Sequence, residues 1–173
     1  FIEHTIRSVR AQTYPSIEHI VIDGGSSDDT LSILGSFEGW PGFSWFSEPD
    51  DGMYDAAAKG FARARGDIFG YLNSDDLYLP GAFDAVVSYF QSHPQCEWLC
   101  GDTRMFGEKH ETRMISAHVP TSAAQALSWA YKAPQPGMFW KRNLLGAGFD
   151  ERWRYCFDHE LYVRLLLAGH QCD

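Results

Sequence analysis

The chain has 173 residues, 45% of them hydrophobic and 15% aromatic against 21% charged; that is enough apolar side chain for one buried core and excludes a largely disordered chain. With 14 Lys+Arg against 23 Asp+Glu and a formal net charge of −9, nucleic acid is not an expected partner, because nucleic-acid grooves work by neutralising phosphates with clustered cations. No run approaches the roughly 20 apolar residues of a membrane span and no basic start leads into a long apolar core, so the chain reads as soluble and intracellular.

In chain order, Ile2, Ile6 and Val9 fall at helical spacing and predict an amphipathic helix over residues 1–12, closed by a turn at Thr13-Tyr14-Pro15. His19-Ile20-Val21-Ile22 is a short apolar run, read as a buried strand, ending at Asp23. Gly24-Gly25-Ser26-Ser27-Asp28 forms a loop, and Ser27 or Asp28 can cap a helix through Leu31, Ile33 and Leu34 that breaks over residues 35–39. A strand at 43–47, a turn at Pro49-Asp50-Asp51-Gly52 and an Ala-rich helix at 53–64 lead to a third apolar run at 67–72. That run ends in Asn73-Ser74-Asp75-Asp76, and Pro80 fits the first position of a helix at 81–90.

Strands and helices thus alternate over ninety residues, and the strands are almost continuously apolar. This predicts an α/β fold: a three-layer α/β/α sandwich around a mostly parallel, mixed sheet. The second half is less regular, with candidate strands at 97–101, 103–106, 112–116 and 138–140 before a strong helix at 157–167. No repeat, low-complexity tract or linker divides the chain, which reads as a single domain over 1–173. Cys96, Cys100, Cys156 and Cys172 show no zinc-type CxxC pairing and are expected to be free thiols.

Three polar clusters can carry chemistry. In open α/β sheets ligands sit beyond the carboxyl ends of the strands, where Asp23-Gly24-Gly25-Ser26 offers a carboxylate and a loop that suits a base or ribose; the same residues also make an ordinary Asx turn. The adjacent carboxylates of Asp75 and Asp76 repel one another, which a hard divalent cation shared with substrate phosphates would relieve; a solvated turn with Asp76 as cap is the plainer alternative. Asp158, in Asp158-His159-Glu160, is either a general base aimed into a cleft or a carboxylate complementing the helix N-terminus. His159 lacks any metal-ligand spacing and reads as a surface or packing residue. There is no GxxxxGK[ST] loop, GxGxxG turn or GxSxG elbow.

Taken together, Ile17-Glu18-His19-Ile20-Val21-Ile22-Asp23-Gly24-Gly25-Ser26, Ser47-Glu48-Pro49-Asp50 with Gly52-Met53-Tyr54-Asp55-Ala56, and Gly70-Tyr71-Leu72-Asn73-Ser74-Asp75-Asp76 resemble a family 2 glycosyltransferase of the GT-A fold, in its bacterial polysaccharide-assembly branch. Cys100-Gly101-Asp102, Gln135-Pro136, Gly148-Phe149-Asp150-Glu151 and Phe157-Asp158-His159-Glu160-Leu161 continue the pattern in family order. The resemblance implies an inverting transfer of a sugar from a nucleotide diphosphate to an acceptor hydroxyl, with Mg2+ or Mn2+ on the diphosphate. Asp23, Gly24 and Ser26 would contact the nucleoside side of the donor. Asn73 and Asp75 would hold the ends of the DxD motif, Asp75 and Asp76 would meet the metal, and Asp158 would be the base. The acceptor would be a glycan or a lipid-linked glycan, placing a cytoplasmic protein at the inner face of the membrane as a peripheral associate.

Some positions depart from the family pattern. Asn73 stands where many relatives carry Asp, Ala58 where many carry Asn, and Asp29 where Gly is common. The family's first strand and its loop belong before Phe1, so the resemblance implies a domain truncated at its start. Two other readings share the shell: a GT-A-like binding or scaffolding domain without turnover, and a sugar nucleotidyltransferase, which would carry a Gly-rich basic loop. Trp129, Trp140, Trp153 and Tyr155 could stack on a sugar or fill the core.

Overall fold

The computed structural model describes residues 1–107, 112–128, 131–146, 148–150 and 152–173. The first half runs α1 (Ile2–Arg10), β1 (His19–Asp23), α2 (Thr30–Gly35), β2 (Phe43–Ser47), α3 (Met53–Arg63), β3 (Ile68–Phe69) and α4 (Ala82–Ser92), in the order predicted. The second half adds β4 (Trp98–Cys100), β5 (Thr103–Met105), β6 (Arg113–Ile115), α5 (Ala123–Leu127), β7 (Met138–Lys141) and α6 (Phe157–Leu167). The sequence reading missed α5, a single short stretch capped by the Ser122 hydroxyl, which accepts the Gln125 N–H. Pro80 lies outside α4, because Gly81 takes a left-handed cap conformation and the helix begins at Ala82.

β1 and β2 pair in parallel, with His19 opposite Phe43 and Asp23 opposite Ser47. One face of this pair is covered by α1 and α2, where Ile6, Leu34 and Phe37 are buried with Val21 and Phe43 packed against them. The other faces α3, where Ile22 approaches so near that a Cβ on Gly60 would lie 3.5 Å from its Cγ1. The run Ile20-Val21-Ile22 is apolar on both faces because both are covered by helices.

β7 lies antiparallel between β3 and β4. Its side chains alternate in register with those of β4. Met138 and Trp140 join Trp98 under Leu161, Tyr162 and Leu165 of α6, while Phe139 and Leu99 pack with Phe90 and Cys96 on the α4 side. Trp98, Met138, Trp140 and Leu161 are 0% exposed, and burying a side chain of Leu or Phe size contributes about 1.5–3 kcal/mol relative to leaving it in water. Trp140 is therefore core. Trp129 lies outside the described residues, and Trp153 and Tyr155 are exposed.

The layered α/β architecture matches the expectation, with one correction to the sheet. Parallel pairing among the named strands is confined to β1–β2, and the β3–β7, β4–β7 and β5–β6 pairs are antiparallel. The cause is β7, which returns between β3 and β4, while β5 and β6 form their own two-stranded ribbon. β3 is also shorter than the 67–72 predicted. After Phe69 the chain presses against Phe139 so closely that a Cβ on Gly70 would sit 2.9 Å from that ring and 3.1 Å from the Tyr78 hydroxyl.

Between β1 and β3 runs a groove of about 1850 Å³ whose walls include Ile20 and Ile22 of β1, Ile68 of β3, Phe61 of α3, and Val86 and Phe90 of α4. The four cysteines are free, as expected, and burial pushes the thiols of Cys96 and Cys100 up to about 12. Among the described residues no helix is long and apolar enough to cross a membrane.

Candidate active site

The three acidic clusters take up different environments. Asp23 ends β1, is 7% exposed and folds its carboxylate back onto its own loop. Oδ2 accepts the Gly25 N–H at 3.0 Å, the Ser26 N–H at 2.9 Å and the Ser47 hydroxyl at 2.7 Å, while Oδ1 accepts the Ser26 hydroxyl. Burial works to raise its pKa, and the hydrogen bonds from Ser26, Ser47 and Gly25 outweigh it, so the carboxyl is held below its ordinary value. Gly25 supplies the positive φ of +89° that the turn needs. Gly24 supplies room, since a Cβ there would fall 2.6 Å from an Asp50 carboxylate oxygen. The Asx-turn reading of this cluster is realised in the fold, and the loop it shapes presents Gly24 and Ser26 at the strand end.

The loop after β3 is tied down from two sides. From α1, the Thr5 hydroxyl lies 2.7 Å from the Ser74 carbonyl and 2.9 Å from that of Asp76. One turn further the Ser8 hydroxyl accepts the Tyr78 N–H, and the Gln12 amide bonds the Leu79 carbonyl and the Phe83 N–H. From the turn before β7, Gln135 donates to the Tyr71 carbonyl at 2.5 Å and accepts from the Asn73 Nδ2 at 3.0 Å. Asn73 Nδ2 also lies 3.3 Å from Asp76 Oδ2. Asp75 is exposed and Asp76 half-buried. Burial first, and the Asp75 charge second, push the Asp76 carboxyl up, with the Asn73 hydrogen bond opposing them.

This crowding is the physical signature that a cation would relieve. Among the described residues no group of three or more His, Cys, Asp or Glu side chains is arranged to hold a metal ion alone. Mg2+ is commonly held by one or two carboxylates, with substrate phosphates and water as its other ligands, and Asp75 and Asp76 are the two adjacent carboxylates that this loop carries.

Asp158 is the second residue of α6, half-buried, with Oδ1 accepting the His159 N–H at 2.8 Å. It borders a recess of about 430 Å³ shared with Tyr131, Pro134, Tyr155, Cys156 and His159. The Tyr131 hydroxyl is hydrogen-bonded to His159 Nδ1. Burial and then the Asp158 charge push the Tyr131 phenol up to about 12, while burial lowers the imidazole of His159 against the pull of Asp158. Arg164 bonds both Glu160 and the Gly148 carbonyl, fastening the loop ahead of α6 to the helix.

The three carboxylates sit in different surroundings. Asn73, Ser74 and Asp75 border the large groove, Asp158 borders the smaller recess, and Asp23 is turned into its own loop. The first two nevertheless lie at the same end of the fold. The Tyr71 ring, two residues before Asn73, packs 5.7 Å from Phe157, the residue before Asp158. Burial, then Asp158, then Asp76 raise the Tyr71 pKa, so both carboxylates are felt at one phenol. Sequence reasoning missed Gln135 as more than a matching motif, and it missed Thr5, Ser8 and Gln12, whose three- and four-residue spacing marks a polar stripe on α1.

Residues 1–145 match the family model described as Glycosyl transferase family 2. An "Uncharacterized glycosyltransferase" of Mycobacterium tuberculosis (strain H37Rv) is 36% identical over 174 residues, covering 96% of this chain and 64% of that relative. The chain therefore spans less than two thirds of the relative's length. Chondroitin synthase of Escherichia coli is 27% identical over 173 residues, 98% of this chain and 25% of that one. Among solved structures, S. aureus TarS 1-349 in complex with UDP-GlcNAc superposes with a TM-score of 0.78 at 16% identity, over 99% of this chain and 51% of that one. The mannosyltransferase PcManGT from Pyrobaculum calidifontis, in complex with GDP-Man and Mn2+, gives 0.70 at 17% identity, over 99% and 49%. The fold is that of the GT-A glycosyltransferases.

Proposed function

The chain belongs to glycosyl transferase family 2, and from that premise we propose that it carries the donor site and base of an inverting, metal-dependent transferase. This enzyme would move a sugar from a nucleoside diphosphate to an acceptor hydroxyl during polysaccharide or cell-envelope glycan synthesis. The observation that carries the reading is the packing of Tyr71 on Phe157, which couples the Asn73–Asp76 loop to the start of α6 and so a diphosphate-binding loop to a base.

In this reading the nucleoside lies against the loop of Gly24 and Ser26, with Asp23 chiefly holding that loop in shape. Asn73 and Asp75 would face the donor phosphates, and Asp75 and Asp76 would hold Mg2+ or Mn2+. The cation, when bound, neutralises the charge that builds on the leaving diphosphate. Asp158 takes the proton of the acceptor hydroxyl as that oxygen bonds to the anomeric carbon and the sugar–phosphate C–O bond breaks. One displacement inverts the anomeric centre. The recess bordered by Asp158, Tyr131 and Tyr155 receives the acceptor, a glycan or lipid-linked glycan, and a lipid-linked one would bring the protein to the cytoplasmic membrane face.

Residues 1–173 act in this reading as one domain, and the groove between β1 and β3 seats a further strand in the whole protein. Two half-buried strand edges and helices on both sides give it the shape of a sheet interior. The test of the catalytic assignment is Asp158→Asn. General-base help is worth about 10²–10⁴-fold, so sugar transfer should fall by that factor while nucleotide affinity holds. A variant that transfers sugar as the parent does would remove Asp158 from the reaction.

A further inference from the structure

We infer that Gln135 is a positioning residue for the Asn73–Asp76 loop, its side-chain amide locking the Tyr71 carbonyl and the Asn73 carboxamide and, through Asn73, the Asp76 carboxylate. The inference rests on the reading of that loop as the diphosphate and cation site, and it adds how the loop is aimed.

The orientation of every group in the chain of bonds is forced. A carbonyl only accepts, so the Tyr71 oxygen at 2.5 Å must face Gln135 Nε2. That turns Gln135 Oε1 toward Asn73, which must then offer its Nδ2, at 3.0 Å. The same Nδ2 lies 3.3 Å from Asp76 Oδ2, so one amide nitrogen serves two acceptors with its two hydrogens. Gln135 and Asn73 are both half-buried, and 62 residues separate them in the chain.

This network gives a reason for the amide at position 73. An Asp there would set an acceptor against the Gln135 oxygen and a third carboxylate beside Asp75 and Asp76. Asn73 instead donates to both neighbours and lowers the Asp76 pKa against the burial that raises it. Gln135 also opens the short helical turn Gln135–Gly137 that leads directly into β7, and Pro134 beside it borders the Asp158 recess. The residue that fixes the donor loop is thus carried by the segment that walls the base. Thr5 fastens the opposite side of the loop at the Ser74 and Asp76 carbonyls, leaving the Asp75 side chain exposed between two anchors.

The test compares Gln135→Ala, Gln135→Met, Asn73→Ala and the double variant Asn73→Ala/Gln135→Ala with the parent. Each is titrated with UDP and with GDP in Mn2+, and amide hydrogen exchange over residues 71–76 is followed without nucleotide. Met keeps the length and packing of Gln but neither hydrogen bond. Loss of such a pair of bonds corresponds to roughly tenfold in an equilibrium. Exchange over 71–76 should therefore quicken about tenfold in both Gln135 variants, nucleotide affinity should fall by a similar factor, and the double variant should lose less than the two single losses combined, because the Asn73–Gln135 bond is common to both while the Gln135–Tyr71 bond is not. Parent-like exchange and binding in Gln135→Met would overturn the inference by making Gln135 a space-filler. Independent, additive losses at 73 and 135 would also overturn it. If the parent binds neither nucleotide, the donor reading falls, and the exchange data alone still decide whether Gln135 holds the loop.

Discussion

Replacing Asp23 by Ala tests how the loop after β1 is held. The carboxylate accepts four hydrogen bonds, from the amides of Gly25 and Ser26 and the hydroxyls of Ser26 and Ser47. Hydrogen bonds to a charged group contribute about 1.5–3 kcal/mol each, but a simple sum overstates the loss because the freed donors of exposed Gly25 and Ser47 regain water. A net cost of about 2–3 kcal/mol follows, and for a chain of this size each kcal/mol moves Tm by about 2–4 °C, so a drop of about 4–12 °C is expected at neutral pH. The sign with pH is fixed by the direction of the shift. The folded pKa of Asp23 lies below its ordinary value, so its contribution is complete above the unfolded pKa of about 3.9 and is lost as pH falls through the folded value. Thermal melts followed by circular dichroism should show the parent and Asp23→Ala well separated at pH of about 7 and converging in acid. Equal Tm values at neutral pH, or a gap that persists unchanged in strong acid, would refute the assignment of these bonds to a carboxylate.

Two further outcomes follow from the packing. His19 lines the groove with Nδ1 buried and without a partner among the described residues, and burial lowers its pKa to about 4. The unfolded chain binds that proton first, so stability should fall as pH drops from about 6.5 toward 4, by at most about 3 kcal/mol, and His19→Phe should flatten the slope in urea titrations across that range; an unchanged slope would contradict it. Gly70→Ala would drive a methyl to 2.9 Å from the Phe139 ring; overpacking of this kind costs about 1–3 kcal/mol, read as a lower urea midpoint, and a midpoint equal to the parent's would mean the contact relaxes freely.

The first ninety residues were legible because their signals are local. Ile20-Val21-Ile22 before Asp23, and Pro49-Asp50-Asp51-Gly52 before the Ala-rich helix, announce strand, turn and helix within a few positions. The helix Phe157–Leu167 was equally plain. What escaped notice depends on contacts between distant segments. The direction of β7 cannot be read from Met138-Phe139-Trp140, because whether a strand pairs parallel or antiparallel is set by how the chain returns to its partners β3 and β4, not by its own residues. α5 spans five residues, too few for a periodic pattern. The bonds from Thr5, Gln12 and Gln135 to the loop after β3 cross more than 60 residues of sequence, and nothing local marks an amide as an anchor. The candidate site residues were picked out by type and position at strand ends, but which carboxylate is exposed and which is turned inward depends on these distant anchors.

The most direct measurement of the central claim is calorimetric titration of UDP and GDP into the protein, with and without Mn2+, beside Asp75→Ala. The account predicts binding of one nucleotide that strengthens with Mn2+ and that loses this metal dependence in Asp75→Ala, whose exposed carboxylate lies between the Thr5 and Gln135 anchors. Absence of binding to either nucleotide, or Mn2+-dependent binding that survives Asp75→Ala intact, would contradict the placement of the donor diphosphate on the Asn73–Asp76 loop.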